Sequence, residues 1–144
     1  MNNFVDIPKE ESDFKKMEKS DSQLTGNRGV IVCGFKPKEQ LHFKKILKKV
    51  HISAPVVFPT DSMSSMTIDE LNSTENGVGL GERSKLSRAV IAGGITTKEF
   101  QRLMNRVKES TLPRPMWATI TEISQEWKLS KLLGELTLER AQMG

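Results

Sequence analysis

The residues Gly93, Gly94, Ile95, Thr96, Thr97 and Lys98 combine types that suit an anion: glycines that let the main chain approach closely, two hydroxyls and an ammonium. They sit where an apolar run gives way to a helical pattern. A helix opening there presents unpaired N–H groups and the positive end of its dipole. The candidate anion site is therefore Gly93, Gly94, Thr96, Thr97 and Lys98, with an echo at residues 34–38, GFKPK. The same residues also have a plainer use. Thr96 and Glu99 stand at capping-box spacing, which would satisfy those donors from within the chain, and this use is the favoured one.

A second kind of chemistry lies in two basic helical faces. Lys44, Lys45, Lys48 and Lys49 fall off the apolar stripe of one helix, and Arg102, Arg106 and Lys108 off the stripe of another. Such faces could meet the phosphates of RNA, or be merely solvated. Charge alternates along the chain, +5 over residues 29–53, −5 over 54–82 and +6 over 83–115, so the net +4 understates how basic these two stretches are.

Enzymes need convergent groups of complementary type, and few are patterned here. Tyrosine is absent, and His42 and His51 stand apart from any second ligand type. Cys33, between Val32 and Gly34 in an apolar run, reads as a small buried hydrophobe. Asp69 with Glu70, and Glu135 with Glu139, fall on helices as capping or solvated groups. The glycines at 77, 79 and 81 follow no buried strand and read as a flexible connector. The expectation is a non-catalytic protein with no catalytic residue, no metal site and no cofactor.

The elements that position these residues come in two copies. GVIVCGF at 29–35 aligns with AVIAGGI at 89–95, with Gly34 and Gly94 sixty positions apart. The helices that follow share Phe-x-x-[Ile/Leu]-[Leu/Met]-x-x-Val: Phe43, Ile46, Leu47 and Val50 in one, Phe100, Leu103, Met104 and Val107 in the other. That pair is offset by only 57, which predicts about three extra residues in the first helix. Strands without polar positions are usually covered on both faces. Short strands follow at 56–58 and 116–120, launched by Pro55 and by Pro113 and Pro115. A capping box at Thr67 and Glu70 predicts a short helix. Leu129, Leu132, Leu133 and Leu136 predict a docked final helix, with Trp127 as its staple.

The predicted fold is α/β, a four-stranded, mostly parallel sheet built from two tandem βαβα-like repeats, with a ferredoxin-like α+β arrangement as the alternative. The domain plan is a mobile arm at 1–28, repeat one at 29–71, a linker at 72–87 and repeat two at 88–144. Trp117 and Trp127 are read as core or staple residues. Gly134, inside the last helix, signals either a close contact or a tolerated imperfection costing about 1 kcal/mol relative to alanine.

At GGITTKEFQRLM, then LPRPMWATITE, then EWKLSKLLGEL, the chain resembles a family of small βαβα domains of unknown function found in bacteria and plants. The resemblance rests on Gly94 and Ile95, on Thr96 and Glu99, on the apolar strand at 116–120, and on Trp127 with Leu132 and Leu133. It spans residues 88–138; the copy at 29–71 lacks the tryptophan and most of the last helix. The resemblance implies a fold and no reaction, and its plant members imply the plastid stroma. The functional expectation is a soluble, intracellular binding module with an unidentified protein partner and no membrane span. An RNA-binding protein and a sensor of a small anionic ligand are the alternatives.

Overall fold

Residues 29–33 and 89–93 carry no charged or hydroxyl side chain, and the fold buries both faces of both segments. The computed structural model describes residues 21–143. In chain order its regular elements are β1 (Gly29–Cys33), α1 (Pro37–Lys49), β2 (Val56–Val57), α2 (Ile68–Asn72), β3 (Ala89–Gly93), α3 (Thr97–Glu109), β4 (Met116–Thr119) and α4 (Leu129–Met143). Short 3-10 turns at Asp61–Met63 and Ser124–Glu126 precede α2 and α4.

The four strands form one sheet in the order β2-β1-β3-β4. Each central strand pairs parallel with the outer strand of its own repeat, while β1 and β3 pair antiparallel in the middle. The class is thus α/β with a mixed, mostly parallel sheet. The ferredoxin-like alternative is not what forms, because the outer pairings are parallel and helices cover both faces.

Alternation along the strands sorts the core. Val30, Val32, Val90 and Ala92 meet Phe43, Ile46, Leu47, Phe100, Leu103 and Val107 of α1 and α3 on one side. Ile31, Cys33, Ala89 and Ile91 meet Ile68 and Leu71 of α2 and Leu129, Leu132, Leu133 and Leu136 of α4 on the other. The expected Phe stripes are therefore core. Trp117 packs edge-on to Phe100 at 5.7 Å, and Trp127 lies half-buried at the start of α4 beneath the Lys131 ammonium, 4.6 Å above its ring.

The two repeats are related by a local two-fold. Ile31 faces Ile91 at the centre of the β1–β3 ladder, and shifting either strand's numbers by 91 − 31 = 60 maps the ladder onto itself. A second reciprocal junction joins the far face. Thr67 and Lys128 form an antiparallel bridge, Ile68 N–H donates to the Trp127 carbonyl, and Leu129 N–H donates to the Met66 carbonyl, each at 2.9 Å.

The expectation of extra residues in the first helix is corrected. Both helices have 13 residues, and their N-caps, Lys36 and Thr96, keep the strand offset of 60. What moves is the aromatic ring, one turn further along α1. The position matching Phe100 is Gln40, buried to 2% exposure. Its amide donates to the carbonyls of Phe35 and Glu82, and its oxygen accepts from Gly81 N–H at 2.7 Å. A polar anchor has taken the ring's place, and Phe43 packs edge-on to Phe35 at 5.8 Å instead.

That anchor also corrects the picture of a flexible linker at 72–87. Besides Gln40, the linker is tied to β2, where Gly77 N–H donates to the Val56 carbonyl at 2.7 Å and Phe58 N–H to the Val78 carbonyl at 2.9 Å. A side chain at Gly79 would collide with the Phe58 carbonyl. Of the arm expected over 1–28, residues 1–20 lie outside the described residues. Residues 21–28 are seated on the body, with Leu24 N–H donating to the Ile95 carbonyl at 2.8 Å.

Phe43 and Phe100 are both fully buried, so Phe43→Ala and Phe100→Ala should each cost about 3–5 kcal/mol in urea denaturation. Gly134 is exposed in α4 and an added methyl would meet nothing within 4 Å, so it is a tolerated imperfection and no close contact. Gly134→Ala is expected to raise stability by about 0.5–1 kcal/mol in the same assay.

Candidate functional site

The turn at Gly93 and Gly94 delivers the chain from β3 into α3 through a left-handed residue, Gly94 at φ +67°. A side chain there would strike the Arg28 backbone. Thr96 caps the helix as expected: its hydroxyl accepts from Glu99 N–H at 3.1 Å, and the Glu99 carboxylate accepts from Thr96 N–H at 2.8 Å.

The chain itself supplies the anion at this helix start. An Asp21 carboxylate oxygen accepts from Lys98 N–H at 3.0 Å and lies 3.4 Å from the Thr97 hydroxyl. Main-chain carbonyls complete the coverage, with Thr97 N–H donating to Ser22 and Gly94 N–H to Thr25. Gly93, Gly94, Thr96, Thr97 and Lys98 are thus brought together as a turn and helix start whose donors are taken up by residues 21–25 and by Glu99. An internal carboxylate at this place uses the same dipole and N–H groups that an external anion would.

Arg28 locks this arrangement. Its guanidinium grips the Glu99 carboxylate with two bonds, at 2.8 and 2.5 Å, and its Nε donates to the Ser53 carbonyl at 2.7 Å. The side-chain hydrogen bond from Arg28 is the largest influence holding the Glu99 carboxyl below its ordinary range, and it raises the Arg28 pKa in turn. By the two-fold, Arg88 and Glu39 are the matching pair, and they stand 3.6 Å apart.

The basic faces meet. α1 and α3 pack side by side on the same sheet face, and a groove of about 860 Å³ runs between them, lined by His42, Lys45, Lys48 and Lys49 from α1 and Arg106 from α3. Glu109, Ser110 and Thr111 close its end. Lys44, Lys108 and Arg102 are exposed on the same helices and outside the groove lining, and the Arg102 guanidinium donates to the Val50 carbonyl at 3.0 Å. Cys33 is fully buried, and burial pushes its thiol up to about 12, far from a nucleophile's range.

Sequence reasoning missed Asp21, Arg28, Gln40 and Arg88. For the two arginines a signal existed: an arginine stands one residue before each central strand, a glutamate five residues after each turn glycine, and both pairs keep the offset of 60. Gln40 and Asp21 carried no such mark.

A family model described as a domain of unknown function (DUF3783) matches residues 88–143, which are β3, α3, β4 and α4 with the residue before them. This agrees with the resemblance carried by that segment. Neither the curated proteins nor the solved structures gave a match. Among the described residues no helix is long and apolar enough to cross a membrane.

The Arg28–Glu99 pair predicts a pH dependence. A carboxylate with a depressed folded pKa contributes stability that is full above its unfolded pKa of about 4.3 and is lost as pH falls through the folded value. Glu99→Gln keeps an acceptor for Thr96 but loses the charge. It should cost about 1–2 kcal/mol at pH 7, allowing for the 35% exposure of the Arg28 side chain. The deficit should shrink in urea melts as pH falls through the folded value, where the wild-type carboxylate is protonated too.

Proposed function

We propose that this protein is a non-catalytic binding module that takes a nucleic-acid backbone, RNA in particular, in the groove between α1 and α3. The observation that carries the reading is the convergence of cations from both repeats on one concavity: Lys45, Lys48 and Lys49 from the first and Arg106 from the second, with one acid, Glu109, among the lining residues. Each helix alone would offer a solvated basic face. Side by side they line a channel of the kind that tracks phosphates. The chemistry asked of the groove is neutralisation of phosphate charge, which needs neither a nucleophile nor a cofactor.

A second reading, a protein-binding accessory or assembly factor, is favoured by β4. The linker covers β2 at its edge, whereas β4 ends the sheet with no further strand among the described residues. Met116 and Ile120 donate inward to β3, so by alternation the peptide groups of Trp117 and Thr119 face outward. An extended peptide could add there. The buried lone thiol suits a reducing compartment, and the plastid stroma is the finer assignment that we propose from the family resemblance.

Fluorescence titration of a labelled single-stranded RNA tests the first reading. Affinity should fall steeply between ~50 and ~200 mM salt, and Lys45→Gln with Lys49→Gln should flatten the log–log salt slope by about 0.7 per lost contact. Absence of binding at the lower salt, or binding indifferent to salt, would remove it. Capture of a partner that survives nuclease treatment and is lost in Thr119→Pro, which removes an outward N–H, would favour the second.

A further inference from the structure

The two glycine turns, related by the local two-fold, are finished differently. At Gly94 the preceding segment closes over the turn, and Gly94 N–H donates to the Thr25 carbonyl at 3.2 Å. At Gly34 the corresponding segment, residues 83–85, stands off and leaves a cavity of about 450 Å³. Among the described residues the Gly34 N–H has no partner within the chain.

That cavity is cationic. Lys36 borders it from the turn, Arg83 and Lys85 from the linker, and Arg88 from just before β3, with Ser84 adding a hydroxyl. Asp61 also lines it, but its Oδ1 is occupied as acceptor for the Lys85 N–H at 2.7 Å. Arg88 is held at one side only. Its guanidinium lies 5.7 Å over the Phe35 ring and reaches Glu39 at 3.6 Å, whereas Arg28 makes two short bonds to its glutamate.

One atom then stands out. Arg88 Nε is buried and has no hydrogen-bond partner, although the matching Arg28 Nε donates to the Ser53 carbonyl. Buried donors are rarely left unpaired, and an orphan of this kind calls for an acceptor such as an ion. A phosphate accepts from several N–H donors at once and suits a guanidinium in particular. The volume exceeds what a bare phosphate fills and lies in the range of small-molecule sites.

We propose that the cavity at Gly34 binds the phosphate monoester of a small metabolite, with Gly34 N–H and the Arg88 guanidinium as donors and Lys36, Arg83 and Lys85 as the surrounding charge. This site is separate from the groove between α1 and α3 and does not depend on that groove binding RNA.

Proton–nitrogen NMR of the full chain tests it, with inorganic phosphate and ribose 5-phosphate as probes and ionic strength held constant with sodium chloride. Saturable shifts at the Gly34 amide and the Arg88 Nε–H are expected below ~10 mM probe, with the sugar phosphate the tighter of the two. Arg83→Gln with Lys85→Gln, both exposed side chains, should leave the fold intact and weaken binding tenfold or more. Arg88→Lys keeps the charge, removes the Nε donor and should weaken it several-fold. Lys45→Gln with Lys49→Gln should change it less than twofold while weakening RNA binding and flattening its salt slope, so the two proposals fail separately. No saturation in that range, shifts centred on the groove instead, or equal affinity in the Arg83/Lys85 variant would overturn the proposal.

Discussion

Burial of the β1–β3 ladder on both faces is the constraint from which the rest follows. Ten residues in two strands pair antiparallel, and all are buried. A strand pair that shows no face to water must be sandwiched, so each repeat has to supply one helix above and one below. The two-fold is a consequence of the same demand. With Ile31 opposite Ile91, each repeat completes the cover that the other lacks, and the second junction at Thr67 and Lys128 closes the lower layer in the same reciprocal way.

Symmetry of cover does not extend to symmetry of surface. In the second repeat the helix start is sealed by Asp21, and the arginine–glutamate pair is tight. In the first, Gln40 replaces a ring in order to hold the linker, and the pair is loose. The same backbone plan therefore yields one closed turn and one open turn. The departures from symmetry are where polar groups do something other than support the sheet, and they are the natural places to look for function in a duplicated scaffold.

Much of the architecture was legible. The apolar runs at 30–33 and 89–92 forecast two-sided burial, the Thr–Glu spacings at Thr67 and Thr96 forecast both capping boxes, and the leucine spacing after Trp127 forecast a docked helix. Strand direction was not legible, because parallel and antiparallel neighbours of a doubly buried strand need the same side chains. The site was legible in its residue types only. Nothing local to Asp21 shows that its carboxylate will seat on a helix 77 residues away. Likewise, a glutamine at position 40 looks like any helix-surface residue until the linker folds back over it. The glycine-rich linker misled for a similar reason. Positive φ at Gly77, Gly79 and Gly81 permits a specific tight path along β2 as readily as it permits disorder.

The clasp between Arg28 and Glu99 spans 71 residues, and the earlier partner leaves the ribosome first. At roughly 5–20 residues per second the arginine waits on the order of 4–14 s for its glutamate. During that interval β1 has only β2 beside it, and its other edge is open to any strand that passes. Translation order thus makes the first half of this chain dependent on the second for its own completion. A pause between the halves would prolong exposure of a strand edge that the finished fold buries completely.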